Sequence, residues 1–212
     1  MHFSQKTLAE NHARLIKRNA VYRRSGYDMD KSIRFVLSHA LPLKGRVLEI
    51  GTGKGRFLVA LAKRANRVVT VDLDAAEQRF GRLNAVHSGL SHNIRFVTAD
   101  AADLPFAAAS FDAVVSLNAL HHIWNLEGVL DEILRVVTPG GKIVLADVDS
   151  TGFRIFERIH RQEGRTHERF PYKWPRIIAR LRKAGFHVHH LHDEKTVLAV
   201  CVPILPSRKR RN

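Results

Sequence analysis

The chain has 212 residues, 45% hydrophobic and 26% charged, with 35 Lys+Arg against 20 Asp+Glu, a formal net charge of +15, and one cysteine, Cys201. That length suits one well-buried core rather than two; no apolar run reaches the roughly 20 residues of a membrane span, the first residues lack a signal-peptide core, and an internal disulfide is excluded, so the expectation is a cytoplasmic protein. Basic residues gather towards the ends, at Lys17-Arg18, Arg23-Arg24 and Arg208-Lys209-Arg210-Arg211, and a solubilising surface with a frayed tail is a simpler reading of them than attraction to nucleic acid.

In chain order, Ser4–Asn19 reads as a capped helix with Leu8, His12, Leu15 and Ile16 at helical spacing, and Asp30–Ala40 as a second helix ended by Pro42 and Gly45. Strands and helices then alternate: Arg46–Ile50, a helix over Gly55–Ala65, the strand Arg67–Asp72, a helix over Ala75–His87, and the strand Ile94–Thr98. The strand Phe111–Leu117, a helix over Leu126–Val137 and the strand Lys142–Asp147 continue the rhythm. Near-continuous Val, Ile and Leu strands between helices predict a parallel sheet covered on both faces. The stretch to Phe170 reads as polar, and a helix over Trp174–Ala184 follows. Phe186–His192 and Thr196–Pro203 are joined only by Asp193-Glu194-Lys195. A parallel crossover needs a dozen or more residues, so the last strand is expected to run antiparallel.

The chemistry concentrates in Val47–Gly55, V-L-E-I-G-T-G-K-G, where a strand runs into a turn with Gly51, Gly53 and Gly55 and then a helix. Such a turn brings backbone close to a ligand at the carboxyl end of a strand and aims a helix N-terminus at it. A phosphate-binding G-x-x-x-x-G-K-[ST] string does not occur. The dinucleotide pattern G-x-G-x-x-G is missed by one residue, and acidic Glu49 precedes the turn, which disfavours a pyrophosphate and suits a cationic ligand. S-adenosylmethionine carries a sulfonium and an ammonium and no phosphate.

Five motifs in order, V-L-E-I-G-T-G-K-G, V-T-V-D-L-D, F-V-T-A-D-A-A-D-L-P-F, F-D-A-V-V-S-L-N-A-L-H-H-I and V-T-P-G-G-K-I-V-L-A-D, make the sequence resemble a class I S-adenosylmethionine-dependent methyltransferase over about Arg46–Val202. It is similar in particular to the branch with ubiquinone/menaquinone-biosynthesis and other small-molecule enzymes. The resemblance implies a Rossmann-like α/β fold, a seven-stranded mostly parallel sheet with an antiparallel last strand and helices on both faces. It implies that Gly51, Thr52, Gly53 and Gly55 approach the methionine part of the cofactor, with Glu49 ordering the turn or meeting the ammonium. Asp72 would accept both ribose hydroxyls, Leu73 would pack on the adenine, and Asp100 with the Ala101 N–H would meet the adenine edge. Asn118 belongs to the loop between cofactor and acceptor. Asp74 reads as a helix cap and Asp112 as a residue with a structural partner.

His121 and His122 follow the fourth strand, near the expected methyl position, and are the candidate general bases, with a packing role as the alternative. The N/D-P-P-Y/F string of enzymes that methylate base amino groups is replaced by S-L-N-A-L-H-H. No metal is expected, because His187, His189, His190 and His192 lack an acid or cysteine at ligand spacing. The expected organisation is a helical extension, a lid candidate, over 1–45, a methyltransferase domain over 46–205 and a basic tail over 206–212. The expected activity is methyl transfer to a small-molecule acceptor. The alternatives are an RNA methyltransferase using the basic surface and a non-catalytic S-adenosylmethionine-binding regulator.

Overall fold

The computed structural model describes residues 3–166 and 169–204; the basic tail expected over 206–212 lies outside them. Seven strands form one sheet in the order β3-β2-β1-β4-β5-β7-β6: β1 Arg46–Ile50, β2 Arg67–Asp72, β3 Ile94–Thr98, β4 Phe111–Leu117, β5 Val137–Val148, β6 Phe186–Asp193 and β7 Thr196–Pro203. The pairs among β1 to β5 are parallel, and β7 is antiparallel to both β5 and β6. The short turn between β6 and β7 therefore produces the reversal that its length demands.

Seven α-helices accompany the strands: α1 Gln5–Arg24, α2 Met29–Ala40, α3 Arg56–Ala62, α4 Ala75–His87, α5 Leu126–Val136, α6 Ser150–Gln162 and α7 Trp174–Lys183. The pleat sends alternate strand residues to opposite faces. Leu48, Val114, Ile143 and Leu145 pack with Leu130 and Ile133 of α5 and Ile177 and Leu181 of α7 on one face. Val47, Val115, Val144 and Ala146 meet Val36 and Leu37 of α2 and Leu58 and Leu61 of α3 on the other. A third cluster, Tyr22, Tyr27, Met29, Phe153, Phe156 and Ile159, fastens the N-terminal helices to α6.

Two elements differ from the sequence expectation. β5 begins at Val137, five residues earlier than expected, because Val137 pairs with Phe111 before a register shift restores the ladder at Ala113–Lys142. The stretch after β5 is not uniformly polar. Asp149 accepts the N–H groups of Thr151 and Gly152, and α6 buries Phe153, Phe156 and Ile159 at three-residue spacing while Arg, Glu and His fill its other side.

Candidate functional site

Strand order reverses between β1 and β4, whose connections leave in opposite directions from the centre of the sheet. Ligands of open α/β sheets bind in the crevice that opens there, outside the carboxyl ends of the strands. The glycine turn sits on that spot. Gly51 and Thr52 donate to the Val71 carbonyl at 2.8 and 3.2 Å, Ser116 donates to the Ile50 carbonyl at 3.0 Å, and Gly55 closes the turn onto Thr52 O at 2.8 Å. From α4, the Asn84 amide donates to Lys54 O at 2.9 Å and the Gln78 amide to Thr52 Oγ1 at 3.3 Å.

The glycines of the turn serve different ends. A Cβ on Gly51 would stand 2.4 Å from Ala119 Cβ, so this residue lets the β1 and β4 loops touch. Gly55, at φ +73°, caps α3, and a Cβ there would stand 2.8 Å from Gly81 Cα. It brings α3 against α4 and is not among the residues that line the cavity. Only Gly53, at φ +44°, has nothing within 4 Å of a Cβ position while lining the cavity.

That cavity, about 540 Å³, lies within the size range of small-molecule sites. Its lining contains Gly51, Thr52, Gly53, Asp72, Leu73, Asp100, Ala101, Asn118, His121 and His122. Asp72 accepts the Gly53 N–H at 2.7 Å and the Asp74 N–H at 3.0 Å, which aims its carboxylate across the turn. Burial raises its pKa against the opposing pull of these two backbone donors. Asp100 accepts the Ala102 N–H at 2.8 Å. Asn118 holds a left-handed φ of +56°, a conformation Asn tolerates; its amide donates to Tyr27 Oη at 3.2 Å, and Oδ1 is buried with no partner among the described residues. Leu73 is 71% exposed at the cavity edge. Asp74 caps α4, and Asp112 accepts the Arg46 N–H, as expected.

Glu49 is placed differently from one of its two expected roles. It shares a pleat face with Val47, not with Ile50, and is 1% exposed and absent from the cavity lining. Its Oε2 accepts from Thr70 Oγ1, the residue directly across the ladder, and Thr70 in turn meets Thr52 Oγ1 at 2.7 Å. Burial, partly offset by the Thr70 hydroxyl, pushes its pKa up to about 8. Glu49 thus lies behind the turn, tied through Thr70 to Thr52, with its second oxygen, Oε1, buried and without a hydrogen-bond partner among the described residues.

The lining also contains His121, 1% exposed. Buried Asp147, at the end of β5, accepts the His121 N–H at 3.0 Å and faces Nδ1 at 2.7 Å. Donation from Nδ1 leaves Nε2 as the basic nitrogen of the neutral ring. The exposed His122 packs against His121 with ring centroids 4.0 Å apart and planes tilted by 49°, and Trp124, 74% exposed, also lines the cavity. The lining also takes Phe156, His160 and Arg165 from the polar segment after β5, an acceptor-side candidate in the sequence, and Arg18, Met29, Ile33 and Arg56, which motif reading missed. The signals were the helical spacing of Phe153, Phe156 and Ile159 and the basic pair Lys17-Arg18, half of which points inward. His187 and His189 contact each other at 4.5 Å on β6, His192 pairs with Asp149, and no group of three or more metal-ligating side chains occurs among the described residues.

The methyltransferase-domain family model matches residues 48–145, the span from β1 to β5 that supplies the turn and the strand-end acids. Over that span the chain is similar to methyltransferase domains. It is 36% identical over 115 residues to 27-O-demethylrifamycin SV methyltransferase of Amycolatopsis mediterranei, covering 52% of this chain and 42% of that protein. It is 37% identical over 118 residues to demethylmenaquinone methyltransferase of Clavibacter sepedonicus, covering 55% and 47%. These matches span less than half the length of either relative. The fold is shared with geranyl diphosphate C-methyltransferase from Streptomyces coelicolor, solved with Mg2+, geranyl diphosphate and S-adenosyl-L-homocysteine, at a TM-score of 0.63 and 15% identity over 84% of this chain and 81% of that one.

S-adenosylmethionine fits this lining in chemical kind. The ribose diol, the adenine amino group and the ammonium are all hydrogen-bond donors. Asp72, Asp100 and the unpartnered Asn118 Oδ1 are acceptors collected around one cavity. No helix among the described residues is long and apolar enough to cross a membrane.

Proposed function

We propose that this protein transfers the methyl group of S-adenosylmethionine to a small-molecule acceptor. The observation that carries the reading is the cavity at the β1/β4 crevice, whose lining brings the donor's acceptor set together with His121, which Asp147 orients. Asp72 and Asp100 hold the nucleoside, the open face of Gly53 admits the methionine part, and Leu73 covers the adenine. Asn118 Oδ1 accepts from the ammonium. The donor supplies an electrophilic methyl on an already activated leaving group, so the chain's task is alignment of the acceptor and removal of its proton where it has one. His121, oriented by Asp147 through Nδ1, is the base, with Nε2 as the proton-accepting atom. Tyr22, Met29 and Ile33 of the N-terminal helices close the cavity as a lid.

A small acceptor suits a concave, walled site better than RNA does, and the relatives' names point the same way, to rifamycin and menaquinone chemistry. Calorimetric titration with S-adenosylhomocysteine, followed by transfer of labelled methyl to fractionated metabolites and RNA, tests the reading. Absence of binding by the wild-type protein, or binding that survives Asp72→Ala undiminished, refutes it. Label appearing only in RNA would replace the acceptor class, and binding without any transfer would leave a regulator.

A further inference from the structure

One end of the cavity is basic: Arg18 of α1, Arg56 of α3 and Arg165 of the loop after α6 gather there around Tyr22 and Glu163, in a lining that also holds Asp72, Asp74, Glu77 and Asp100. Two of these guanidinium groups flank a single ring: Arg18 Cζ is 5.3 Å and Arg56 Cζ 5.8 Å from the centroid of Tyr22. Arg18 and Arg165 share one carboxylate, Glu163, the former at 2.6 Å. Lys54, also in the lining, is cancelled by Glu77 at 2.8 Å.

Arg56 has no such relief. Its Nε donates to Asn19 Oδ1 at 2.6 Å, a neutral amide, and its Nη2 is buried with no partner among the described residues. No carboxylate of the described residues lies within ion-pair distance of it; the ion pairs at this end are those of Arg18, Arg165 and Lys54. Burial depresses its pKa, with Arg18 adding repulsion. Nearby His160 is pushed down to about 4 by burial and by Arg165 and Arg18, so it stays neutral and adds no charge. Three guanidinium groups thus face one carboxylate, and a largely buried, unpaired cation is costly to keep unless something anionic arrives.

Resting on the reading of this cavity as a donor-and-acceptor site, we infer that Arg56, backed by Arg18 and Arg165, is an anion subsite that takes a carboxylate or phosphate oxygen of a bound small molecule. The planar fork of Arg suits two-oxygen recognition of either group. Two sources supply that chemistry: the amino-acid carboxylate of the methyl donor, and an acidic group on the acceptor.

Calorimetry on the full chain separates them. S-adenosylhomocysteine carries the carboxylate, 5′-methylthioadenosine is the same nucleoside thioether without the amino acid, and inorganic pyrophosphate probes the acceptor side in the presence of S-adenosylhomocysteine. If the donor supplies the anion, Arg56→Gln weakens S-adenosylhomocysteine about 10- to 100-fold and leaves methylthioadenosine within twofold. If the acceptor supplies it, S-adenosylhomocysteine is unaffected, and saturable pyrophosphate binding to the wild type is lost in Arg56→Gln. Unchanged affinities for all three probes overturn the inference. A lowered melting temperature with unchanged affinities would make Arg56 a strut and overturn it too, since removing an unpaired buried charge should leave the ligand-free fold as stable or more so. Should Arg56→Gln fail to fold, Arg165→Gln at the exposed edge carries the test, with a two- to fivefold loss expected and no change refuting. A wild-type protein that binds pyrophosphate through Arg56 but not S-adenosylhomocysteine would keep the subsite and sink the methyl-donor reading.

Discussion

The glycines at 53 and 55 should separate stability from ligand binding when each is replaced by alanine. Gly55 sits at φ +73°, and a Cβ there would meet Gly81 Cα at 2.8 Å and its carbonyl oxygen at 3.0 Å. A left-handed conformation costs an ordinary residue about 1–2 kcal/mol, and backbone atoms cannot swing aside as a side chain can, so overpacking adds about 1–3 kcal/mol. Restricting the unfolded chain returns about 0.4–1 kcal/mol. Gly55→Ala is therefore expected to lose about 2–4 kcal/mol, a large part of the 5–15 kcal/mol typical of a domain. Gly53→Ala carries the conformational strain without the contact, because nothing lies within 4 Å of its Cβ position; about 1 kcal/mol is expected. Its methyl group would instead project where a ligand is to lie, lowering S-adenosylhomocysteine affinity about tenfold or more. Urea denaturation of both variants and calorimetry on Gly53→Ala measure the two effects. A Gly55→Ala protein within 1 kcal/mol of wild type would refute the packing argument, and a Gly53→Ala protein of undiminished affinity would refute the placement of the ligand.

Glu49→Gln should flatten the pH dependence of stability. The carboxyl is neutral in the fold up to about pH 8 and ionises near pH 4.5 when unfolded, so its contribution is complete below about pH 4.5 and is lost as pH rises to 8. The urea midpoint of wild type should therefore fall relative to Glu49→Gln between pH 5 and 8.5, and parallel curves would contradict the buried, neutral assignment. Asp147→Asn removes the negative charge and one of the two acceptor oxygens that orient His121; kcat is expected to fall about 10²- to 10⁴-fold with donor affinity unchanged, and loss of donor affinity alone would show that the pair acts only in packing. Asp72→Asn keeps the size but loses charge and one acceptor oxygen for the ribose diol, and S-adenosylhomocysteine affinity should drop about tenfold or more by calorimetry.

Much of this fold is visible in local sequence for a physical reason. Strands β1, β2 and β4 are largely buried on both faces, are rich in Val, Leu and Ile, and give way at Gly51, Asp72 and Asn118, where the backbone must turn. The start of β5 is not local: Pro139-Gly140-Gly141 looks like a turn until Phe111 is alongside to pair with Val137. The apolar stripe of α6 is only three or four residues wide and interleaved with charge, so it reads as polar until Tyr22, Tyr27 and Met29 arrive to cover it. In the site, the acids at strand ends are legible because a strand's carboxyl end is the place where a parallel sheet exposes chemistry. Glu49 misleads because the direction of a side chain depends on the pleat, and the partner that occupies its oxygen, Thr70, is 21 positions away. Gly81 carries no motif at all; the close approach of the glycine turn explains it, since a Cβ there would stand 2.8 Å from Thr52 Cγ2 and 2.9 Å from Gly53 O.

The cavity draws on two different parts of the chain. Its turn, strand-end acids and histidines fall within residues 48–145, whereas Arg18, Tyr22, Met29, Ile33, Phe156, His160 and Arg165 come from α1, α2, α6 and the loop after α6, on either side of that stretch. Hydrogen bonds tie these flanking parts to the central one along several seams: a string from Thr196 through Ser32 and Tyr27 to Asn118, Asn19 to Arg56, and Asp147 to His121. Such a division makes selectivity portable: the flanking helices can be exchanged or drift while the seam residues stay. A chimera that keeps 48–147 and the seam residues Asn19, Tyr27, Ser32 and Thr196 but takes its flanks from another protein of this fold should inherit the other protein's choice of acceptor.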